Sequence, residues 1–178
     1  AKEGPQREGQ PRGPSLAQSV RDEPVLVDRS RGHTVRVAIA DRLGELLGVG
    51  ADSIKLGFKA QDSRVLDEPT QGRVVDVQPG AGAGSGRIPV RVQVYEGDRL
   101  ALWATVAVEV LVRRGAVVTR EAIDRREMIR AETLLVEERW LNPAEGTPLS
   151  FDAVVGLNAK ARLAPGTVIT PSDVEAPV

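Results

Sequence analysis

The chain of 178 residues contains no cysteine and a single histidine, and aromatic residues make up only 3% of it. The absence of cysteine excludes disulfides, zinc–thiolate sites, iron–sulfur clusters and cysteine nucleophiles. No apolar run approaches the about 18 residues that a membrane-spanning helix needs. The 24 Lys and Arg nearly balance the 25 Asp and Glu, which argues against binding a nucleic-acid backbone as the main role.

Recognisable catalytic and cofactor motifs are also missing. His33 has no ligand or catalytic partner at a fixed spacing, so we expect an exposed imidazole. The glycine-rich run at residues 80–86 has Ser85 where a dinucleotide-binding fingerprint needs glycine, and it indicates a flexible loop. The acidic doublets at 67–68 and 137–138 hold neighbouring side chains that point apart. We therefore expect no catalytic residue, cofactor, metal or small-molecule substrate.

The N-terminal residues are rich in glycine and proline and show no hydrophobic periodicity. Such a composition cannot bury enough apolar area to offset the entropy lost on ordering the backbone. We expect residues 1–32 to form a flexible tail and linker, with at most a short strand at residues 24–27. The start of the chain lacks the apolar segment of a signal peptide.

From Thr34 the apolar residues recur with helical spacing up to a stop at Gly48. Thr34 is suited to the N-cap and Gly48 to the C-cap, which predicts an amphipathic helix between them. Alternation of apolar and polar residues then predicts a strand at residues 54–59, and more weakly a second one at 73–77.

The clearest pattern is a pair of alternating runs at residues 88–95 and 100–112, separated by Glu96-Gly97-Asp98. Two such runs around a short glycine-containing turn predict an antiparallel hairpin. The second run is longer than the first, so we expect it to overrun the pairing and carry the chain out of this unit. These elements predict an α+β domain over residues 33–112.

A repeat is suggested in the last third, where residues 115–123 can be aligned with residues 166–174. In each copy a glycine precedes β-branched residues, and a threonine follows that can cap a single helical turn. This alignment predicts turns at Gly115 and Gly166 with caps at Thr119 and Thr170, in two halves that cover each other.

Four residues are candidates for contact with a partner. Trp103 faces small side chains, and we favour its burial beneath the helix or tail over exposure as an interface anchor. Trp140 is the better surface candidate. Arg113 and Arg114 are interpreted as solvated charges at a strand end, with contact to an acidic partner as the alternative; the doublet at 125–126 has the same interpretation.

The pattern from Arg114 to Val174, including Val155-Gly156, Ala161-x-Leu163-x-Pro165-Gly166 and Ile169-Thr170-x-x-Asp173, resembles a SAF domain, a β-clip module. Within the SAF-domain proteins it looks most like the flagellar basal-body P-ring formation (FlgA) family. The resemblance implies a SAF domain over residues 113–178 with structural turns that include Gly156, behind the α+β domain. The expected fold class is therefore α+β, mostly β. Family members usually continue further, so we expect this domain to be incomplete at Val178.

The resemblance also implies a function. The family points to a non-enzymatic periplasmic assembly chaperone whose partner is the flagellar P-ring protein and which assists ring formation around the rod. We hypothesise that the two domains form a clamp hinged around residues 112–115, with an exposed β edge available for pairing. The alternatives are a pilus-assembly binding protein of the CpaB type and, less favoured, a sugar-acid enzyme, whose large catalytic domain the chain is too short to contain.

Overall fold

The computed structural model describes residues 23–81 and 86–178. The residues outside these ranges include most of the predicted tail and part of the predicted glycine-rich loop. The predicted fold class, α+β and mostly β, is confirmed by the elements present. These are the helices α1 (Val35–Leu47), α2 (Ser63–Leu66) and α3 (Phe151–Val154), and the strands β1 (Ile54–Phe58), β2 (Val74–Pro79), β3 (Arg87–Glu96), β4 (Arg99–Thr119), β5 (Leu134–Leu141), β6 (Asn158–Ala159) and β7 (Val174–Glu175).

Helix α1 begins and ends as the sequence predicts. The hydroxyl of Thr34 accepts a hydrogen bond from the backbone N–H of Val37 at 3.4 Å, which satisfies one of the unpaired donors of the first turn. Gly48 ends the helix in the left-handed conformation at φ 66°, which glycine adopts without steric cost. The face bearing Val35, Ile39 and Leu43 is buried.

The main sheet has the order β1-β4-β3-β2 with antiparallel pairing, and β5 also pairs with β4. The predicted hairpin is confirmed as β3 and β4. Strand β4 pairs with β3 over residues 99–109, with β1 over residues 108–112 and with β5 over residues 112–119. The prediction that this strand overruns its hairpin partner is confirmed.

Two hydrophobic clusters lie along β4. The first, which we call the N-terminal core, packs α1 on the sheet and ends along β4 at Val112. The second, the C-terminal core, starts at Val117 and contains Ile123, Ile129 and Ile169. Residues 113–115 between them are exposed. Strand β4 therefore passes from one core to the other through a short stretch that belongs to neither.

The segment before α1 makes more contacts than a flexible linker would. Val25 and Leu56 form an antiparallel bridge, with N–H to O distances of 3.1 and 2.9 Å in the two directions. Arg29 forms a salt bridge to Asp41 at 2.7 Å. The strand predicted at residues 24–27 is thus a single bridge on the outer edge of β1, because no other residue between 23 and 34 pairs there.

The predicted turn at Gly115 is wrong. Gly115 lies inside β4, opposite Glu138 of β5. A Cβ added at Gly115 would meet Val136 Cγ1 at 3.6 Å, which is ordinary contact, so neither a turn nor crowding requires glycine here. The sequence alignment paired Gly115 with Gly166 because the residue types agree, but the two glycines do not occupy equivalent positions in the fold.

The structure shows a different internal repeat, which relates residues 120–135 to residues 160–175. Ile123 and Leu163 exchange backbone hydrogen bonds of 3.0 and 2.9 Å and so lie across an approximate twofold axis. Arg126 N–H donates to Ala159 O at 2.7 Å, and Gly166 N–H donates to Thr119 O at the same distance. The two halves are therefore covered by each other, as expected, but in a register that the sequence alignment missed.

Thr119 and Thr170 have different roles in this repeat. Thr170 caps the 3-10 turn Pro171–Asp173 as predicted, in a capping box with Asp173. Thr119 caps nothing, so its predicted cap is wrong. Its buried hydroxyl donates to Ala164 O at 2.6 Å and accepts from Thr167 N–H at 3.0 Å. It joins the end of β4 to the other half of the repeat.

Candidate functional site

Trp103 lies on the outer face of the main sheet and is 61% exposed. The favoured prediction that a helix or the tail covers it is wrong for the residues that the structure describes, because α1 packs on the opposite face of the sheet. Its neighbours along β4 on the same face are Ala101 and Thr105, both exposed and too small to cover an indole. Nothing in residues 23–81 or 86–178 thus keeps a partner from Trp103.

Trp140 is half-buried in β5 and lies against cationic side chains. Lys55 Nζ of β1 is 4.3 Å from the centroid of the Trp140 ring, and the Arg113 guanidinium carbon is 5.8 Å from it. Both distances lie within the range of cation–π attraction. Arg113 also approaches Glu138 at 3.5 Å and Asp52 at 4.0 Å. This cluster links β1 of the N-terminal core to β5.

Arg114 points to the other side of β4. Its guanidinium donates a hydrogen bond to the carbonyl of Leu47, the last residue of α1. A cation at this position satisfies one of the free carbonyls at the helix end and interacts favourably with the helix dipole. The interpretation of the arginine doublet as charges at a strand end is wrong, because both residues lie inside β4 and each contacts a neighbouring element.

A small apolar cleft lies beside this junction, with a volume of about 140 Å³. Leu46 and Leu47 of α1 form one wall, Ile88 of β3 another, and Pro143 and Ala144 the third. Asn142 closes it by donating from Nδ2 to Gly86 O at 2.8 Å. The two cores are therefore joined by a few polar contacts around a space that their side chains do not fill.

The four candidate residues divide into two places. Arg113 and Trp140 lie together on one side of the junction and Arg114 lies on the other, and each makes a contact within the chain. Trp103 is ten positions along β4 from Arg113, which corresponds to about 33 Å of extended strand. Trp103 alone combines a large apolar surface with high exposure.

The acidic doublets pair with separate arginines, Asp67 with Arg36 at 3.2 Å and Glu137 with Arg139 at 2.7 Å. Hydrogen bonds from the side chain and backbone of Ser30 lower the pKa of the exposed Asp28, which lies far along the chain from the candidate residues.

In the described parts of the chain no three acidic or histidine side chains converge to hold a metal ion. None of the described helices has the length and apolar character to cross a membrane.

Residues 114–178 match the family described as chaperone for flagella basal body P-ring formation. The predicted resemblance is confirmed there. This stretch begins inside β4 and includes both halves of the internal repeat. No relative is found among curated protein sequences.

Solved structures of flagellar FlgA proteins align with this chain. Salmonella FlgA in a closed form aligns with a TM-score of 0.52 and 14% identity, over 80% of this chain and 68% of that one. Its open form aligns with a TM-score of 0.52 and 12% identity, over 80% and 64%. The flagellar protein FlgA from Thermotoga maritima aligns with a TM-score of 0.45 and 16% identity, over 80% of this chain and 51% of that one. The chain thus spans about half the length of the Thermotoga protein.

Sequence reasoning missed the junction and the true register of the repeat. A signal for the junction was present in α1, where Leu46 and Leu47 widen the apolar face beyond what one sheet can cover. Leu46 remains 52% exposed. A signal for the register was the recurrence of isoleucine or leucine at positions 123, 129, 163 and 169 with equal spacing in each half.

Proposed function

We propose that this chain is a periplasmic assembly chaperone that binds the flagellar P-ring subunit and assists ring formation around the basal-body rod. The observation that carries the proposal is the family match over residues 114–178. The fold likeness to Salmonella FlgA is consistent with it.

In this proposal the chain acts by binding alone and without catalysis. Exposed apolar and backbone groups of a subunit that has not yet joined the ring are prone to wrong association. A chaperone that covers them reversibly lowers the concentration of the aggregating species by mass action.

We further propose that residues 33–112 and 113–178 form two domains that move about residues 112–115 of β4. The exposed stretch at 113–115 lies between the two cores. Salmonella FlgA exists in an open and a closed form, and a hinge in this chain would allow a similar change. The polar contacts of Arg114 and Asn142 across the junction can exchange with water at small cost.

The test is the aggregation of purified P-ring subunit on dilution from denaturant, followed by light scattering. Equimolar chain should suppress the scattering strongly, whereas the same concentration of serum albumin should not. Equal scattering with the chain and with albumin would contradict the proposal.

A further inference from the structure

The first half of β4 has an open edge. Residues 99–107 pair with β3 on one side, and β1 covers the other side only from residue 108 onward. Within residues 23–81 and 86–178, no other strand pairs with this side of residues 99–107. We call residues 99–107 the open edge.

The pairing pattern shows which backbone groups are free there. The carbonyl of Pro89 accepts from Gly80 N–H at 2.7 Å on the β2 side, so it points away from β4. Its partner across the hairpin is Ala107, which therefore turns its own N–H and C=O away from β3. Because this direction alternates along a strand, Thr105 and Trp103 also present N–H and C=O to the open edge.

Unpaired strand edges are usually protected by charges or proline, because they otherwise pair with other chains. The outer edge of β2 has Asp76 and Pro79, and that of β5 has Glu137, Glu138 and Arg139. In the open edge only Arg99, at its end, is charged, and residues 100–107 contain neither a charged residue nor proline. The protection present at these two edges is thus missing along most of the open edge, which also carries the most exposed aromatic side chain.

The charges around the open edge define what can bind it. An added strand with charges opposite residues 100–108 would lose their hydration without gaining a partner. Arg99, at the end of the edge, is exposed and forms no salt bridge with a residue that the structure describes. A carboxylate at the matching end of an added strand would complement it.

We propose that the open edge binds an extended, uncharged strand of the client protein, with an acidic residue beside Arg99, by adding it to the main sheet. The client is the P-ring subunit, so this inference rests on the proposed function. Backbone hydrogen bonds from Trp103 and Thr105 supply the affinity, as in other cases of strand addition. The indole of Trp103 packs on the side chains of the added strand.

The test uses two ligands, the purified P-ring subunit and a synthetic peptide of alternating threonine and valine that ends in glutamate. Binding is followed through tryptophan fluorescence, since burial of Trp103 shifts its emission. Thr105→Pro removes a free N–H without removing a bond to β3, and we expect it to weaken binding of both ligands at least about tenfold. Thr105→Lys adds a charge at the edge and should act in the same direction, which keeps the test valid if the proline variant does not fold.

The matched control is Gln93→Lys. Gln93 lies opposite Trp103 on β3, on the same face of the sheet but not at an edge. The affinity of the Gln93→Lys variant for both ligands should therefore stay within about twofold of wild type. A peptide of the same sequence with N-methylated backbone should not bind. Equal binding of the P-ring subunit to wild type and to both Thr105 variants would overturn the open edge as the site and leave the proposed function intact. Peptide binding at the edge without any subunit binding would instead contradict the proposed function.

Two other occupants would overturn the inference. If the amides of Trp103 and Thr105 are protected from hydrogen exchange in the unliganded monomer, another part of the chain, such as residues 1–22, already covers the edge. If wild type forms a dimer that Thr105→Pro abolishes, a second copy of the chain is the occupant. The inference predicts fast exchange in the free monomer and slow exchange with the peptide.

Discussion

The two cores differ in construction although one strand, β4, runs through both. The N-terminal core is made of long elements, with α1 packed against strands whose buried residues alternate regularly. Beyond the pairing of β4 with β5, the C-terminal core has β6 and β7 of two residues each and single bridges such as Ile123 to Leu163. Stability in the first is spread over many similar contacts, whereas in the second it depends on a few hydrogen bonds and turns.

The largest expected effects come from removing one buried side chain in each core. Ile39→Ala and Ile169→Ala each empty a fully buried position and should each lower the free energy of unfolding of their own core by about 2–5 kcal/mol. Urea unfolding of single-tryptophan variants separates the unfolding of the two cores. Trp103 reports on the N-terminal core, and Trp140 reports on the junction and β5. The distinction between the two cores would be contradicted if Ile169→Ala shifted the urea midpoint seen by both tryptophans equally.

The next effect concerns the hydroxyl of Thr119. Thr119→Val keeps the shape but removes two hydrogen bonds of the hydroxyl, to Ala164 O and from Thr167 N–H, and leaves that N–H only its longer bond to Ala164 O at 3.3 Å. It should therefore cost about 1–3 kcal/mol. Thr147→Val, at an exposed position without such a bond, is the control and should change little. Thermal unfolding measures both, and equal midpoints would show that the C-terminal core does not depend on this bond.

The two halves of the repeat offer a smaller and more specific comparison. Arg126 has φ 65° where Gly166 has φ 79°, and a side chain in this conformation costs about 1–2 kcal/mol. Arg126→Gly should therefore stabilise the chain, by less than this amount because glycine is more flexible when unfolded. A Cβ added at Gly166 would have room, because its nearest neighbour would be 3.8 Å away. Gly166→Ala should nevertheless destabilise the chain, because of the positive φ. Shifts of the same sign in chemical denaturation would contradict the equivalence of the two positions.

The smallest expected effect is at the junction. Lys55→Met removes the cation over the Trp140 ring while keeping an unbranched side chain of similar length, and it should cost about 0.5–1 kcal/mol. The Trp140 emission should change and the Trp103 emission should not. A larger loss, or a change at both tryptophans, would mean that the junction is part of a single shared core.

The contrast between the cores also explains what the sequence could predict. Helix α1 with its caps, the hairpin and the long β4 follow from periodicity, because each element spans several repeats of its pattern. The repeat of the C-terminal core consists largely of turns and of the two-residue strands β6 and β7, which are too short to show a period. It was therefore aligned on Gly115 and Thr119 by residue type and was misplaced. Trp103 was expected to be covered because large aromatics usually are, and one sequence cannot show that the face of β4 that bears it has no packing layer.

Hydrogen exchange of the β4 amides in the unmodified chain tests the central claim, that two separate cores share one strand. The account predicts that amides paired in the N-terminal core, such as Val106 and Val108, and amides paired in the C-terminal core, such as Val118 and Thr119, open with different free energies. Ile169→Ala should lower the opening free energies of the amides in the C-terminal core and leave those of the amides in the N-terminal core unchanged. A single opening free energy along β4, lowered throughout by that substitution, would contradict the account.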